Sequence, residues 1–167
     1  MTVNLEQWER RAEALWDRYD EHIARAGKTG FVAAMDELAT ELGEDHPVAL
    51  HERGGARDST GDESGAVELY RRALAAGLDG GRRRQCVIQL ASSLRNVGQA
   101  AEGARLLHAE RDAGSDELDD AVAGFLALTL VDSGREREAL SVALLALSRH
   151  LTRYRRSMEN YARDLAP

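Results

Sequence analysis

Four glycines interrupt the chain at near-equal intervals. Gly27, Gly61, Gly98 and Gly134 are spaced by 34, 37 and 36 residues. The last three each lie between two stretches of helical apolar spacing, and a period of this length marks a repeat built from one helix pair. A lone hairpin of amphipathic helices cannot bury its apolar stripe, so successive hairpins must stack. Composition agrees. Of 167 residues, 27 are Ala and 22 are Leu, prolines number two, and aromatics make up 5%. Ala and Leu are the strongest helix formers.

Apolar spacing places the elements. Leu5, Trp8, Ala12, Leu15, Tyr19 and Ile23 step by three or four and predict one helix ending at Gly27. Phe31, Met35, Leu38 and Leu42 predict a second, stopped by Gly43. Pro47 suits the first turn of the next. After each later glycine the second helix of a pair carries its own signal: Ala66, Tyr70, Ala73 and Leu74; then Gly103 and Leu107; then Ala139, Ala143, Ala146 and Leu147. Small residues allow close helix approach, and the larger ones fill the gap between pairs. Gly54, Ala91 and Ala127 occupy the matching small position in the first helices. Asp62, Asp79 and Ser115 are the expected helix caps.

These residues resemble the tetratricopeptide repeat, clearest in "GGARDSTGDESGAVELYRRAL", where the usual Trp near Leu50 and Tyr at Arg57 are absent. "GARDSTG", "LYRRALAAGLDG", "IQLASSLRNVG", "FLALTLVDSG" and "HLTRYRRSMENYARDL" together resemble the group-5 tetratricopeptide proteins of actinobacteria, over roughly residues 31–165. The resemblance implies an all-α, right-handed superhelical stack of antiparallel helix pairs with a C-terminal capping helix. The expected division is a degenerate pair over 1–45, repeats over 46–79, 80–114 and 115–149, and a cap over 150–167. The family's role in protein interaction makes a protein or peptide partner the expectation. The Lys, Asn and Arg clamp of chaperone-binding relatives is missing, since His51, Gly55, Gln89, Ala121 and Phe125 stand in its places.

Two polar stripes stand out. Gln89, Ser92, Ser93 and Asn96 run along the helix whose apolar stripe is Val87, Leu90, Ala91, Leu94 and Val97. Ser and Asn are poor choices for an ordinary solvated helix face. In the repeat fold Ser92, Arg95 and Asn96 fall at ligand-facing positions, whose equivalents are Gly55, Asp58 and Ser59 in the first copy and Leu128, Val131 and Asp132 in the third. In the last helix, Leu151, Tyr154, Met158, Tyr161 and Leu165 form the expected buried stripe, and Arg153, Arg156, Ser157 and Asn160 a basic second one. Guanidinium groups suit carboxylates and phosphates. The candidate binding residues are therefore Asp58, Gln89, Ser92, Arg95, Asn96, Arg153, Arg156 and Asn160, in a concave polar groove for an extended peptide or helix. The alternative is a sensor holding a small anion near Arg95 and Arg156. A purely structural reading stands beside both: serines that permit tight packing, and Asp58 and Arg95 as partners in a salt bridge.

Chemistry is not advertised. His46 and His51 do not share a helix face as a zinc pair would, and the five histidines read as surface or capping residues. "GDESG" has the wrong spacing for a nucleophile elbow. "GLDGGRRR" follows no strand, so it is no phosphate loop, and Arg82 to Arg84 read as a solvated helix start. Cys86 is alone, so no intrachain disulfide forms; it reads as buried and inert. No catalytic residue, metal or cofactor is expected. A net charge of −7 argues against nucleic acid and anionic membranes. No secretory signal or spanning segment appears, which points to a bacterial cytoplasm. Trp8 and Trp16 exceed what a short N-terminal helix needs, making that helix a candidate homodimer surface.

Overall fold

The computed structural model describes residues 3–166, and among them the chain is all-α with no strand. The helices are α1 (Leu5–Asp17), α2 (Tyr19–Thr40), α3 (Pro47–Thr60), α4 (Glu63–Ala75), α5 (Gly80–Asn96), α6 (Ala100–Ala113), α7 (Asp119–Val131), α8 (Glu136–Ser148) and α9 (Arg155–Leu165). The chain forms two compact units, Met1–Arg83 and Arg84–Pro167.

In the first unit, consecutive helices pack as antiparallel neighbours. The expected helix over Leu5 to Ile23 is broken: α1 stops at Asp17, Arg18 leaves helical geometry, and α2 is itself kinked at Gly27 (φ 70°, ψ 178°). Trp16, Tyr19 and Phe31 cluster around the break with ring centroids 4.8–6.1 Å apart. Trp8 is buried and its indole N–H donates to the Leu38 carbonyl at 2.8 Å. Trp16 donates to Glu52 at 2.7 Å. Both tryptophans are thus engaged inside the chain, which removes the reason for a homodimer through α1.

The α3–α4 hairpin follows the repeat pattern. Gly61 caps α3 in the left-handed region (φ 91°), and the Asp62 carboxylate accepts from the Gly65 N–H as the expected N-cap. A Cβ on Gly54 would lie 2.7 Å from the Tyr70 ring, so the interior glycine exists to admit that ring. Asp36 joins α2 to α3 by accepting from Arg53 Nε at 2.8 Å and from both terminal nitrogens of Arg57. Partial burial alone would raise its carboxyl, but the hydrogen bonds from Arg57 and Arg53 outweigh this and hold it below the usual carboxylate range.

In the second unit the core is Ile88, Ala91, Ala104, Leu107, Val122, Leu126 and Leu130 with their neighbours. Gly103 sets the closest approach: a Cβ there would meet the Ala91 carbonyl oxygen at 2.8 Å and the Thr129 methyl at 3.2 Å. Gly98 and Gly134 end α5 and α7 in the left-handed region. Two expectations fail here. Ser115 is no cap, because α7 begins at Asp119 and the Ser115 hydroxyl donates to that carboxylate instead. Arg84 is no solvated residue. It is buried, donating to the Gly114 carbonyl at 3.1 Å and to Asp119 at 2.8 Å. Arg82, in the first unit, bridges Glu9 and Glu52. All these acceptors are remote in sequence, so the arginine run looked unpartnered.

Gly103→Ala gains helix propensity of roughly 1 kcal/mol but forces two backbones apart. A net destabilisation of about 1–3 kcal/mol is expected from overpacking, read by urea unfolding; a stabilised variant would contradict the contact. Asp36 gives a pH prediction. Its folded pKa is depressed, so its stabilisation is present above the ordinary carboxylate value and is lost as pH falls through the folded value. Asp36→Asn should cost on the order of 1 kcal/mol near neutral pH, given the partly exposed setting. The gap to wild type should shrink at about pH 3, measured by denaturant unfolding at both pH values.

Candidate interaction face

The face is built on α5 and α7 in the second unit. Leu90, Ala91 and Leu94 are buried on α5 with Val87, while Val97 is half-buried. Rotated away from them, Ser92 and Arg95 are half-buried and Asn96 is exposed. Ser93 departs from the predicted stripe: it is fully buried, with its hydroxyl donating back to the Gln89 carbonyl at 3.0 Å. That bond satisfies a buried hydroxyl inside its own helix, so Ser93 belongs to the packing. Gln89 is half-buried and supplies the backbone acceptor.

Arg95 does not stand alone. Its guanidinium donates to Asp132, just past the end of α7. Asp132 is the counterpart of Asn96 one repeat later, so the pair links equivalent rungs of adjacent first helices. Next to it on α7, Leu128 and Val131 are 45% and 47% exposed. From Ala121 to Val131 the chain has no charged residue. The face is therefore a small polar rung (Ser92, Asn96), an ion pair (Arg95, Asp132) and two open aliphatic side chains.

Residues 47–165 match the family model described as "Tetratrico peptide repeat". The chain belongs to the tetratricopeptide repeat family. No curated protein and no solved structure matches it. Within a tetratricopeptide protein the first helices of the pairs are α3, α5, α7 and α9, which is the register assigned to Ser92 and Asp132. The family suggests a protein-interaction module, and no helix among the described residues is long and apolar enough to cross a membrane.

The other predicted residues distribute differently. Asp58 lies on α3 in the first unit, half-buried, 3.4 Å from the Tyr70 hydroxyl that donates to it. On the last helix the expected buried stripe holds only in part. Tyr154 adopts a left-handed conformation (φ 63°) and α9 starts only at Arg155. Residues 151–154 therefore fall out of helical register with α9. Met158, Ala162 and Leu165 form the inward stripe, while Tyr154 and Tyr161 are exposed. Arg153 precedes the helix and leaves the basic stripe; Arg156, Ser157 and Asn160 remain exposed on α9. Asn160 accepts from Arg163 at 3.2 Å.

Leu128 and Val131, expected at ligand-facing positions but not among the candidate binding residues, are the open aliphatic pair of this face. Their signal was the charge-free run on α7, which reads equally as core. A cleft of about 360 Å³ at the start of α8 is lined by Gly134, Arg135, Glu136, Arg137, Glu138, Leu165 and Ala166. Neither Arg95 nor Arg156 lines it. The histidines also differ from expectation, since His51 is buried in the core 6.0 Å from the Tyr70 ring. Cys86 is buried as expected.

Two substitutions on α5 separate its faces. Leu94→Ala should lose about 2–5 kcal/mol by leaving a cavity. Asn96→Ala, on the exposed side, should keep the melting temperature within the small range typical of surface changes. Thermal unfolding of both variants checks this, and an unfolded Asn96→Ala would place that side chain in the packing instead.

Proposed function

We propose that this tetratricopeptide protein binds an extended peptide or a helix of a partner protein on the α5–α7 face of its second unit. Binding, not catalysis, is the activity. The observation that carries the reading is the exposure of Leu128 and Val131, one turn apart, beside the Arg95–Asp132 pair. Scattered exposed leucines are ordinary. Two on a charge-free stretch of helix, flanked by an ion pair and small polar groups, have the make-up of an anchor site with a polar rim.

The chemistry divides accordingly. Leu128 and Val131 take an apolar side chain of the ligand. Ser92 and Asn96 offer donors and acceptors to its backbone. The Arg95–Asp132 pair orients charged or polar ligand groups, and Arg156 and Asn160 extend the proposed contact onto α9. Gln89 supports the rung from behind, and Arg153 and Asp58 drop out of the proposed face. No observation favours the small-anion reading, because the Arg95 charge is already balanced by Asp132.

A random peptide library displayed against the chain tests the proposal. Peptides with an apolar anchor residue should be enriched. The double variant Leu128→Asp, Val131→Asp should weaken the selected peptide at least about tenfold, and Asn96→Ala by about 1–2 kcal/mol. Selected peptides that bind the double variant as tightly as wild type would reject this face.

A further inference from the structure

The second helix of the last repeat carries an apolar stripe that the chain leaves open. From Ala139 to Ser148, α8 has no charged residue. On it Leu140 and Leu147 are each 49% exposed, Ala143 is exposed and Leu144 is half-buried. Their spacing of i, i+3, i+4 and i+7 makes one continuous helix face. Leu147, expected to fill the gap between pairs, is half open to solvent. Aligning Ala66 with Ala139, the positions of Leu140 and Leu147 correspond to Val67 and Leu74, which are buried and half-buried. In the middle copy Ala104 is buried at the first of these positions, and the second is Arg111, exposed but charged. α9 packs on α8 yet leaves these two leucines open.

We propose that a second copy of this chain covers the stripe, α8 against α8, antiparallel about a two-fold axis. The argument is self-complementarity. A two-fold contact must pair each residue with its mirror position. With Ala143 of one helix opposite Leu144 of the other, Leu140 meets the partner's Leu147. Ala143 at the centre lets the helices approach closely. The ends then match in charge. Glu136 lies one turn before Leu140, is exposed, and has no ion pair among the described residues. At the opposite end Arg149 and His150 are exposed, paired with Asp119 and Asp120 across 2.9–3.9 Å. Antiparallel docking brings Glu136 of each copy towards Arg149 of the other, whose contacts with Asp119 and Asp120 are long, at 3.8–3.9 Å, and leave it open to a closer carboxylate. A parallel arrangement would set Glu136 against Glu136. The contact uses α8 residues, none of which is among Ser92, Arg95, Asn96, Leu128 and Val131 of the proposed peptide site. A contact of one helix per copy is at the small end of specific interfaces, and so forms in the micromolar range.

Sedimentation velocity over low to high micromolar chain concentrations tests the proposal. The wild type should shift reversibly from monomer to dimer. Leu147→Glu should raise the dissociation constant about tenfold or more, with helix content and melting unchanged because the side chain is exposed. Leu140→Glu serves as the second variant. Ala143→Cys should cross-link between copies with a short bis-maleimide, while the Arg105→Cys control on α6 should not; Cys86 is buried and does not compete. A chain that stays monomeric throughout overturns the proposal. So does a dimer indifferent to both glutamates, or one that cross-links through Arg105→Cys and not Ala143→Cys. If a different protein of the host binds the wild type but not Leu147→Glu while the chain stays monomeric, the stripe belongs to that occupant and the second-copy assignment is wrong.

Discussion

The distance between neighbouring helices in the second unit is set at one residue. Gly103 brings α6 against the backbone of α5 at Ala91 and against Thr129 of α7. Everything on the candidate face depends on that approach. Ala91 faces inward, so Ser92 and Arg95 on the same helix turn outward. Thr129 is buried, so Leu128 and Val131 on either side of it are presented to solvent. A wider spacing would separate Arg95 from Asp132, and with them the rungs of successive repeats. The same device recurs in the first unit, where Gly54 makes room for the Tyr70 ring.

Helical periodicity reports burial directly, and much of the fold is legible for that reason. The glycines at 61, 98 and 134 are readable as helix ends because only a left-handed residue closes a hairpin so tightly. Leu90, Ala91 and Leu94 are readable as core because their spacing holds over unbroken helix. Where the helix breaks, the inference breaks with it. One residue, Tyr154, leaves helical geometry, so Leu151 and Tyr154 fall out of register with Met158 and Leu165; within α9 Ala162 takes the interior beside those two and Tyr161 stays exposed. Arg18 does the same between α1 and α2. Neither position carries the glycine or proline that would have announced a break.

Tertiary partners are the other illegible part. Arg84 is held by a loop some 30 residues away, and Trp8 by the end of α2. In both cases the residue type stands out in the sequence and suggests an outside partner, when the chain itself supplies one. Arg95 shows the milder form. Its sequence context suggests a structural salt bridge with Asp58, but the acceptor is Asp132, one repeat further along instead of one earlier. Ser93 shows that a polar stripe read at helical spacing need not be uniform, since a hydroxyl can turn back onto its own backbone and disappear into the core.

Two helices without charge over ten or so residues, α7 and α8, account for the functional reading. In a stacked repeat such helices are expected to be covered on every apolar side. Here each keeps two large aliphatic side chains in solvent, on α7 beside an ion pair and on α8 between oppositely charged ends. The most direct measurement of the central claim is methyl NMR of the chain titrated with a selected peptide. The Leu128 and Val131 methyls should shift or broaden with saturation, while those of Leu140 and Leu147 stay in place at fixed chain concentration. Shifts confined to other methyls, with Leu128 and Val131 unmoved at saturation, would contradict the account.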